Sequence, residues 1–408
     1  MHAMSGRRSI LLLGGSSQQV VAIERAHSLG YRTVLCDYLP DNPGQHVADV
    51  FYLVSTTNRE AVLEVARQEG VSGVLAYASD PAAPTAAYVA QEMNLAGNPL
   101  ESVETLSEKH RFRAHLRKIG LPCPNFAEIP VDASGGEAAG LLGDLTFPIV
   151  LKPTDSSGSK GVTVVKEAGS LESALAEARA HSRNGVLIGE EFIERSYPNV
   201  IGGDVFVVGG EIQFWGLMDC LREARGGGMV PIGEMLPCSL DLMALGRVKS
   251  ALQKLVSSLG IVGGELNVEV IIGRSGEPYI LELGARAGGN MIPVQLSDAS
   301  GCDLIASNVL CAMGENPLVP AWDASTSGAV CAHVVLHARE AGRFHSVGYG
   351  KLDQYVYREV LYKKPGDHVD AFMDAGNAIG IAFMKFPDAE LMRERLFGNS
   401  ESLCMEVE

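Results

Sequence analysis

Short apolar runs alternate with helix-like stretches through the first hundred residues. The run Ile10–Leu13 leads into a Gly14-Gly15 turn and a helical stretch over Gln18–Gly30, and the same order recurs up to about residue 93. Strands buried on both faces are continuous apolar runs, and parallel strands need crossover segments between them. The alternation therefore predicts an α/β protein whose residues 1–100 form a doubly wound, parallel-sheet N-terminal domain.

The Gly14-Gly15 turn, with Asp37 at the end of the next strand, bears a superficial similarity to a dinucleotide-binding fingerprint. It lacks the three-glycine spacing that lets backbone approach a pyrophosphate. We interpret the small residues as those needed to turn a strand into a helix. The first domain is then left to bind the non-nucleotide substrate or a partner subunit, and a homodimer is one assembly open to it.

Length and charge narrow the classes of function. With 408 residues the chain is too long for one compact core, so we expect three or four subdomains. Its net charge of -16 at pH 7 would repel a phosphate backbone, which argues against a nucleic-acid partner. No stretch reaches the ~20 apolar residues of a membrane span, and the eight scattered cysteines indicate reduced thiols. These features favour a cytoplasmic enzyme that acts on small molecules.

The remainder of the chain divides by its periodicity into three further parts. Residues 101–190 contain a basic helical stretch, a linker and a small α+β lobe. Residues 191–320 form a larger α+β lobe, and residues 321–408 form a C-terminal α+β cap.

The sharpest local signal is a strand that ends in a lysine and precedes a loop of small residues. Pro148–Pro153 carries Lys152, and Ser156–Gly161 is rich in serine and glycine. Backbone amides and hydroxyl groups in such a loop can surround phosphate oxygens while the lysine balances their charge. The loop differs from a strand-to-helix phosphate loop, and an ordinary hairpin turn remains an alternative.

Two glutamates on neighbouring predicted strands form the second signal. Glu269 lies in Leu266–Ile272 and Glu282 in Tyr279–Leu283, and the turn between these strands would let them pair. Charged groups among aliphatic neighbours are costly to bury without a counter-ion. A magnesium ion between the carboxylates would supply one, whereas solvent-facing glutamates are the ordinary alternative.

A third segment joins two arginines to a run of three glycines. Arg222 and Arg225 lead into residues 226–228. Glycine permits large hinge changes and arginine grips carboxylates through two parallel bonds, so the segment could form a mobile lid over a substrate. A plain exposed loop is the alternative.

Several segments, taken in order, resemble the ATP-grasp superfamily. They are Lys109, Lys152 with its serine-glycine loop, Glu190-Glu191-Phe192-Ile193, Glu269 and Leu281–Asn290. Their order and spacing match over roughly residues 100 to 320. The first hundred residues resemble the domain that precedes this module in biotin carboxylase-like and amino acid ligase members. The resemblance implies a pre-ATP-grasp domain followed by a two-lobed ATP-grasp module and the C-terminal cap.

The resemblance also implies roles for individual residues, with ATP and one or two Mg²⁺ ions as cofactors and Mn²⁺ as an alternative metal. The implied ATP contacts are Lys109, Lys152, Ser156, Ser157, Gly158, Ser159, Gly161, Glu190, Glu191, Phe192 and Ile193. The implied metal ligands are Glu269 and Glu282, the implied catalytic residues are Lys152 and Arg286, and the implied substrate contacts are Arg286, Gly288 and Gly289. In the hinge, the backbone of Glu191 and Ile193 would recognise the adenine edge and Glu190 would support its amino group.

Two positions depart from the superfamily pattern. Many members carry an asparagine two residues after the second glutamate as a further metal ligand, but this chain has Gly284. A second magnesium would then need Asn290 or water. The acidic residue that usually contacts ribose is not found in Arg195–Asn199, which leaves the ribose contacts unassigned.

The segment Leu281–Arg286 is most similar to carboxylate-amine ligases that join amino acids or related small metabolites. That similarity implies an ADP-forming reaction in which a carboxylate is activated as an acyl phosphate and an amine then displaces phosphate. A carboxylase or carbamoyl-phosphate-synthase-like enzyme that uses bicarbonate remains an alternative. A nucleotide-binding subunit without turnover is a third, raised by Gly284.

Overall fold

The computed structural model describes residues 7–156, 158, 160–225, 228–317, 319–373, 375–397 and 404–407. Within this part the strands form a parallel sheet of four, an antiparallel sheet of four, a sheet of nine and a sheet of three. The α/β class predicted from the sequence is confirmed.

The N-terminal domain is built around the parallel sheet. Its elements are β1 (Ser9–Leu13), α1 (Val20–Ser28), β2 (Arg32–Asp37), β3 (Val50–Leu53), α2 (Arg59–Glu69), β4 (Gly73–Leu75) and α3 (Ala83–Glu92). The strand order is β3-β2-β1-β4. Ile10 and Leu12 pack with α1 on one face, whereas Leu11 and Leu13 pack with α2 and α3 on the other. Helices on both faces confirm the doubly wound arrangement.

The glycine turn after β1 is filled by the protein's own side chains. A Cβ atom at Gly14 would lie 2.2 Å from the side-chain nitrogen of Gln19. The Gly15 amide donates to the Asp37 carboxylate at 2.7 Å, and Gln19 donates to the Tyr77 carbonyl at 2.9 Å. These contacts support the structural interpretation of the turn.

Two helices lead from the first domain into the small lobe. The elements are α4 (Leu100–Ser107), α5 (Lys109–Lys118), β5 (Phe126–Pro130), α6 (Gly135–Leu142), β6 (Ile149–Pro153), β7 (Thr163–Val165), α7 (Leu171–His181) and β8 (Val186–Glu191). The antiparallel sheet has the order β5-β8-β6-β7. Both α6 and α7 pack against one face of it through a shared apolar core. The other face carries the side chains that alternate with this core.

The large lobe contributes most of the nine-stranded sheet. Its elements are β9 (Val200–Val208), β10 (Glu211–Arg225), β11 (Gly228–Leu236), α8 (Leu242–Leu259), β12 (Gly263–Ile272), β13 (Pro278–Gly284), α9 (Ile292–Ser300) and α10 (Leu304–Ala312). The helix α8 is capped at its N-terminus by Asp241, whose side chain accepts from the Ala244 amide, and at its C-terminus by Gly260 in the left-handed region. Its apolar side packs against β9, β12 and β13.

The chain after residue 320 continues the same sheet. Its elements are β14 (Trp322–Asp323), β15 (Cys331–Leu336), β16 (Gly342–Gly348), β17 (Val356–Leu361), β18 (His368–Val369), β19 (Gly380–Lys385), α11 (Ala389–Phe397) and β20 (Cys404–Val407). The order of the large sheet is β13-β12-β9-β10-β11-β15-β19-β17, with β14 beside β10. Strands from both sides of residue 320 are thus hydrogen-bonded neighbours. The division at residues 100, 190 and 320 stays our prediction.

The described residues were also compared with the features of membrane-spanning and disulfide-bonded proteins. No described helix is both long and apolar enough to cross a membrane. None of the seven cysteines with described side chains forms a disulfide.

Candidate active site

A cavity of about 480 Å³ lies between the small and large lobes. Its volume falls in the range usual for small-molecule sites. The sequence-predicted residues that line it are Lys109, Lys152, Ser156, Gly158, Glu190, Glu191, Phe192, Ile193, Arg222, Glu269 and Glu282. The structure therefore brings most of the candidate ATP and metal residues to one place.

The small lobe presents Lys152 and Glu190 to this cavity by strand alternation. Ile149 and Leu151 of β6 face the helices, so Lys152 projects from the opposite face. In β8 the same alternation buries Leu187 and turns Glu190 toward the cavity. Lys152 Nζ lies 2.6 Å from Glu190 Oε2.

A third charged residue, Arg113 of α5, completes a buried ion network with this pair. Arg113 Nε lies 2.8 Å from Glu190 Oε1, and the arginine side chain is fully buried. Burial opposes ionisation of Glu190, but Arg113 and Lys152 outweigh it and lower the pKa of its carboxyl to about 2. Both oxygens of Glu190 are thus held by cations. These contacts fix Lys152, and the adenine contact expected of Glu190 stays our prediction.

The predicted phosphate loop lies between β6 and β7 in the chain and contacts the first residue of α5. Lys109 Nζ donates to the Ser156 carbonyl at 2.6 Å, so the lysine and the loop are already in contact. Gly161 adopts a positive φ of +72° and packs against other small-lobe residues, and it is not among the described residues lining the cavity. Ser157 and Ser159 lie outside the described residues.

The hinge stretch follows β8 and lines the cavity on one side. The Glu191 amide donates to the Asn125 carbonyl at 2.8 Å, and the Glu191 carboxylate accepts from the Asn125 side chain at 3.1 Å. Adenine recognition by the Glu191 backbone would therefore have to come from its carbonyl. Phe192 is 39% exposed and, with Ile193, offers an apolar surface suited to a flat ring.

The two predicted metal ligands face each other across adjacent strands. Glu269 of β12 is the direct partner of Glu282 of β13, and the register shifts immediately after this pair. Such bulges re-aim side chains and are frequent at functional sites. Val268 and Val270 point into the core, which leaves the carboxylates on the cavity side. Like charges directly opposite in a sheet are destabilising, so the pair calls for a cation.

The contacts of these carboxylates fit a magnesium site. Arg222 donates to Glu269 at 2.5 Å and offsets one charge. Burial raises the pKa of the Glu282 carboxyl, with Asp80 and Glu269 adding to this and Lys109 opposing it. Among the described residues no group of three or more acidic, histidine or cysteine side chains could hold a metal. Mg²⁺ typically takes one or two protein carboxylates together with phosphate oxygens and water, which matches this donor set.

The arginine-glycine segment is not the loop we expected. Residues 222–225 belong to β10, which pairs antiparallel with β11 to form a hairpin. Arg222 is held by Glu269 with only 13% of its side chain exposed, because the strand aims it into the cavity. The side chain of Arg225 and residues 226–227 lie outside the described part. The plain-loop alternative is therefore wrong for Arg222, and the lid stays a prediction.

The segment after β13 lies beside the cavity rather than in its wall. Arg286 forms a bidentate ion pair with Asp80 of the N-terminal domain, at 2.7 and 2.6 Å. The Gly288 amide donates to the buried Asp204 carboxylate at 2.8 Å. A Cβ atom at Gly289 would meet only the Gln18 side chain, at 3.6 Å. Arg286 is close enough to Glu282 for their charges to interact. Neither Gly288 nor Gly289 is among the described residues that line the cavity.

Sequence reasoning missed Asp80 and Arg113 as parts of the site. Asp80 follows β4, and the carboxyl ends of parallel strands are where ligands bind in such sheets, so its position was a usable signal. Arg113 sits between Phe112 and Leu116 on the buried side of α5. A charge on a buried helix face indicates a buried partner, but the pattern does not say which one.

Comparison with known proteins places this geometry in a family. Residues 108–318, just over half of the chain, match the family described as carbamoyl-phosphate synthase L chain, ATP binding domain. A carbamoyl phosphate synthase large chain from Thermotoga petrophila is 28% identical over 300 residues, which cover 69% of this chain and 26% of that protein. The chain thus spans about a quarter of the length of the curated relatives it matches.

Solved structures extend the likeness to nearly the whole chain. An L-amino acid ligase from Bacillus licheniformis superposes with a TM-score of 0.79 and 19% identity, covering 98% of this chain and 99% of that one. A phosphoribosylglycinamide synthetase from Anaerococcus prevotii gives 0.77 and 19%, covering 98% and 100%. At such identities the likeness shows a shared fold. Together with the family match and the cavity's residues, it shows that this chain is an ATP-grasp protein of the carbamoyl-phosphate synthase ATP-binding-domain family.

Proposed function

We propose that the protein is an ATP-dependent, ADP-forming carboxylate-amine ligase that acts through an acyl phosphate on amino acids or related small metabolites. One observation carries this proposal: Glu269 and Glu282, opposite each other on paired strands, share a cavity with Lys109 and Lys152. Carboxylates for a divalent cation and lysines for phosphate oxygens are the two kinds of group that a metal-bound triphosphate needs.

In the proposed reaction the substrate carboxylate attacks the γ-phosphorus of ATP, and the γ-phosphoryl group leaves ADP to give an acyl phosphate. An amine then adds to the acyl carbon, inorganic phosphate departs and the amine loses a proton. Lys152, fixed by Glu190, and Lys109, next to the Ser156 carbonyl, would hold phosphate oxygens in line with the attack. Arg286, beside Glu282, would stabilise the charge that develops on the transferred group.

The metal site has one task in this scheme. Glu269 and Glu282 would hold magnesium, which neutralises charge on the β- and γ-phosphates when it is bound. No residue of the chain needs to form a covalent intermediate. Cys220 lines the cavity, but burial raises the pKa of its thiol and so keeps it from acting as a thiolate.

A second candidate function is favoured by the sequence relatives, which are carbamoyl phosphate synthase large chains. In that reaction bicarbonate would take the place of the substrate carboxylate. A nucleotide-binding subunit without turnover is the third candidate, and Gly284 is the departure that raised it. For all three we propose a cytoplasmic setting, with which seven described cysteines outside any disulfide agree.

One experiment separates these candidates. Phosphate release would be measured with ATP and magnesium against a matrix of amino acids offered in pairs, and products would be identified by mass. We expect ADP, phosphate and a mass equal to two substrates less one water. Turnover that depends on bicarbonate without any amino acid would favour the second candidate. Tight ATP binding with no ADP formed across the matrix would favour the third.

A further inference from the structure

Asp80 of the N-terminal domain and Arg286 of the large lobe form an ion pair across the domain boundary. The arginine side chain is 11% exposed and the aspartate side chain 24%. Arg286 Nε lies 2.7 Å from Asp80 Oδ1, and Arg286 Nη2 lies 2.6 Å from Asp80 Oδ2. Two parallel bonds of this kind fix the orientation of both groups as well as their distance.

Gly284 leaves the space that this pair occupies. A Cβ atom at residue 284 would lie 3.0 Å from Asp80 Oδ1 and 3.3 Å from Arg286 Nε. A longer side chain at 284 would push the two groups apart. The departure from the superfamily pattern at Gly284 is therefore the condition that lets a carboxylate from the first domain reach Arg286.

Asp80 adjoins the proposed reaction centre, and Arg286, which it holds, lines a neighbouring cavity. Asp80 lines a second cavity, of about 270 Å³, and this cavity meets the ATP cavity because Ser156 and Glu282 line both. The acidic residues lining it are Asp80, Glu104, Glu108, Asp155 and Glu282, against two cations, Arg59 and Arg183. A free anion that entered here would meet an excess of negative charge.

Arg286 keeps hydrogen-bonding capacity for a ligand. A guanidinium has five N–H donors. The contacts given by the described residues use three of them, two on Asp80 and one, from Nη1, on the Ala287 carbonyl at 2.9 Å. A ligand with opposite charges on neighbouring atoms can lie alongside the pair in reverse, with its carboxylate toward Arg286 and its ammonium toward Asp80.

We propose that Asp80 is a specificity-determining residue that selects an α-amino acid zwitterion as the acid to be activated. This inference rests on the proposed ligase function and names the class of its carboxylate substrate. The ammonium group of the zwitterion compensates Asp80 while the carboxylate is held by Arg286. Bicarbonate or a plain carboxylate brings a negative charge without a positive one, so Asp80 and Glu282 repel it. Such repulsion of the wrong ligand is a common source of specificity.

The test compares acids that differ only in the amino group. ADP formation by the full chain would be measured with ATP, magnesium and an amine acceptor, using standard amino acids, the matching acids without the amino group (propionate for alanine, for example) and bicarbonate. We expect wild-type kcat/KM to favour the amino acid by about 10- to 100-fold, the usual worth of one hydrogen bond to a charged group.

Two variants of the pair and one matched control sharpen the test. Asp80→Asn keeps the shape and removes the charge. The ratio of kcat/KM for the amino acid to that for the matching acid should therefore fall toward one. The fall should come from a change in KM for the acid, with KM for ATP unchanged. Gly284→Ala keeps both charges but crowds them, and a smaller loss in the same direction is expected. Asp41→Asn removes a charge that is 99% exposed elsewhere in the first domain and should leave the preference intact.

Each outcome decides between two claims. A wild-type enzyme that activates propionate or bicarbonate as well as the amino acid overturns the role of Asp80 while leaving the ligase function standing. Absence of ADP with every acid overturns the ligase function and this inference with it. If Asp80→Asn does not fold, the wild-type comparison and Gly284→Ala still decide, because neither depends on that variant. A rise in the magnesium requirement of Asp80→Asn, with the preference unchanged, would make Asp80 a metal ligand instead.

Discussion

The two lobes hold their acidic residues in opposite ways. In the small lobe Glu190 lies between two cations, Arg113 and Lys152, and each of its oxygens has a partner. In the large lobe Glu269 and Glu282 stand opposite each other, and only Glu269 has a cation, Arg222, within ion-pair distance among the described residues. The charge of Glu190 is thus balanced without a ligand, whereas the charges of Glu269 and Glu282 are balanced only when a cation binds.

This difference indicates that the Glu190 network mainly positions side chains, whereas the Glu269–Glu282 pair mainly binds a ligand. A charge network that is satisfied in the free protein holds its members in place, as Glu190 holds Lys152 for the proposed phosphate contact. A carboxylate pair that repels itself stores an unfavourable interaction that a divalent cation relieves. Changes in the small-lobe network should therefore act first on folding, and changes in the large-lobe pair should act first on catalysis.

The largest effect is expected for Glu282→Ala. Loss of this carboxylate removes a proposed magnesium ligand, and turnover should fall about 1,000-fold or more, since several kcal/mol of charge stabilisation are lost. ADP formation and the unfolding midpoint would be measured together, and the midpoint should change little. Glu277→Ala, in the exposed turn of the same hairpin, is the matched control and should keep wild-type rates. Full activity in Glu282→Ala would remove the residue from the site.

The second effect concerns folding of the small lobe. Glu190→Ala leaves Arg113 and Lys152 buried without a counter-ion, and we expect it to lower the free energy of unfolding by about 3–5 kcal/mol. Urea titration followed by fluorescence or circular dichroism would measure it. Glu194→Ala removes an exposed ion pair with Arg274 and should cost less than about 1 kcal/mol. Equal losses in the two variants would contradict the distinction drawn here.

The smallest effect is a pH dependence of the same network. The pKa of Glu190 falls from 4.5 to about 2 on folding, so its contribution to stability is present above pH 4.5 and is lost as the pH falls toward 2. The stability difference between wild type and Glu190→Gln should narrow by about 1 kcal/mol per pH unit below pH 4.5. Denaturant titrations between pH 7 and about pH 3 would follow it. A gap that stays constant over this range would show that the carboxylate is not held as described.

Local periodicity was enough to predict the architecture that frames the site. The alternation around Ile10–Leu13 indicated a parallel sheet, and the turn after Leu266–Ile272 indicated the hairpin that sets Glu269 against Glu282. The hairpin is a short-range feature, because its two strands lie within a few residues of the turn. The parallel sheet was indicated instead by strands that alternate with crossover helices along the chain.

Periodicity failed at two elements, one with a buried first half and one whose composition is typical of a loop. The helix α9 was missed because its residues Ile292–Leu296 are all buried, so no polar face alternates with an apolar one. The hairpin β10–β11 was missed because its arginines and glycines are typical of loops. In both cases tertiary packing overrides the local signal.

Pairs distant in sequence were the other limit. Asp80 and Arg286 are 206 residues apart, and nothing in the spacing of either connects them. Lys152 and Glu190 were both assigned to ATP from the resemblance, but their mutual contact and the third partner, Arg113, follow only from strand register and helix docking. The sequence indicated many of the residues that line the cavity, but it did not indicate which of them contact one another.

The shared sheet bears on attempts to transplant the nucleotide-binding module into other proteins. The family match ends at residue 318, but β11 is hydrogen-bonded to β15, which lies beyond that point. In this pairing Gly233 is opposite Val334 and Leu236 is opposite Cys331. A fragment that ended there would expose the unpaired amide and carbonyl groups of β11, and exposed strand edges of this kind promote aggregation. The natural unit for gene fusion or recombination is therefore longer than the region of sequence similarity.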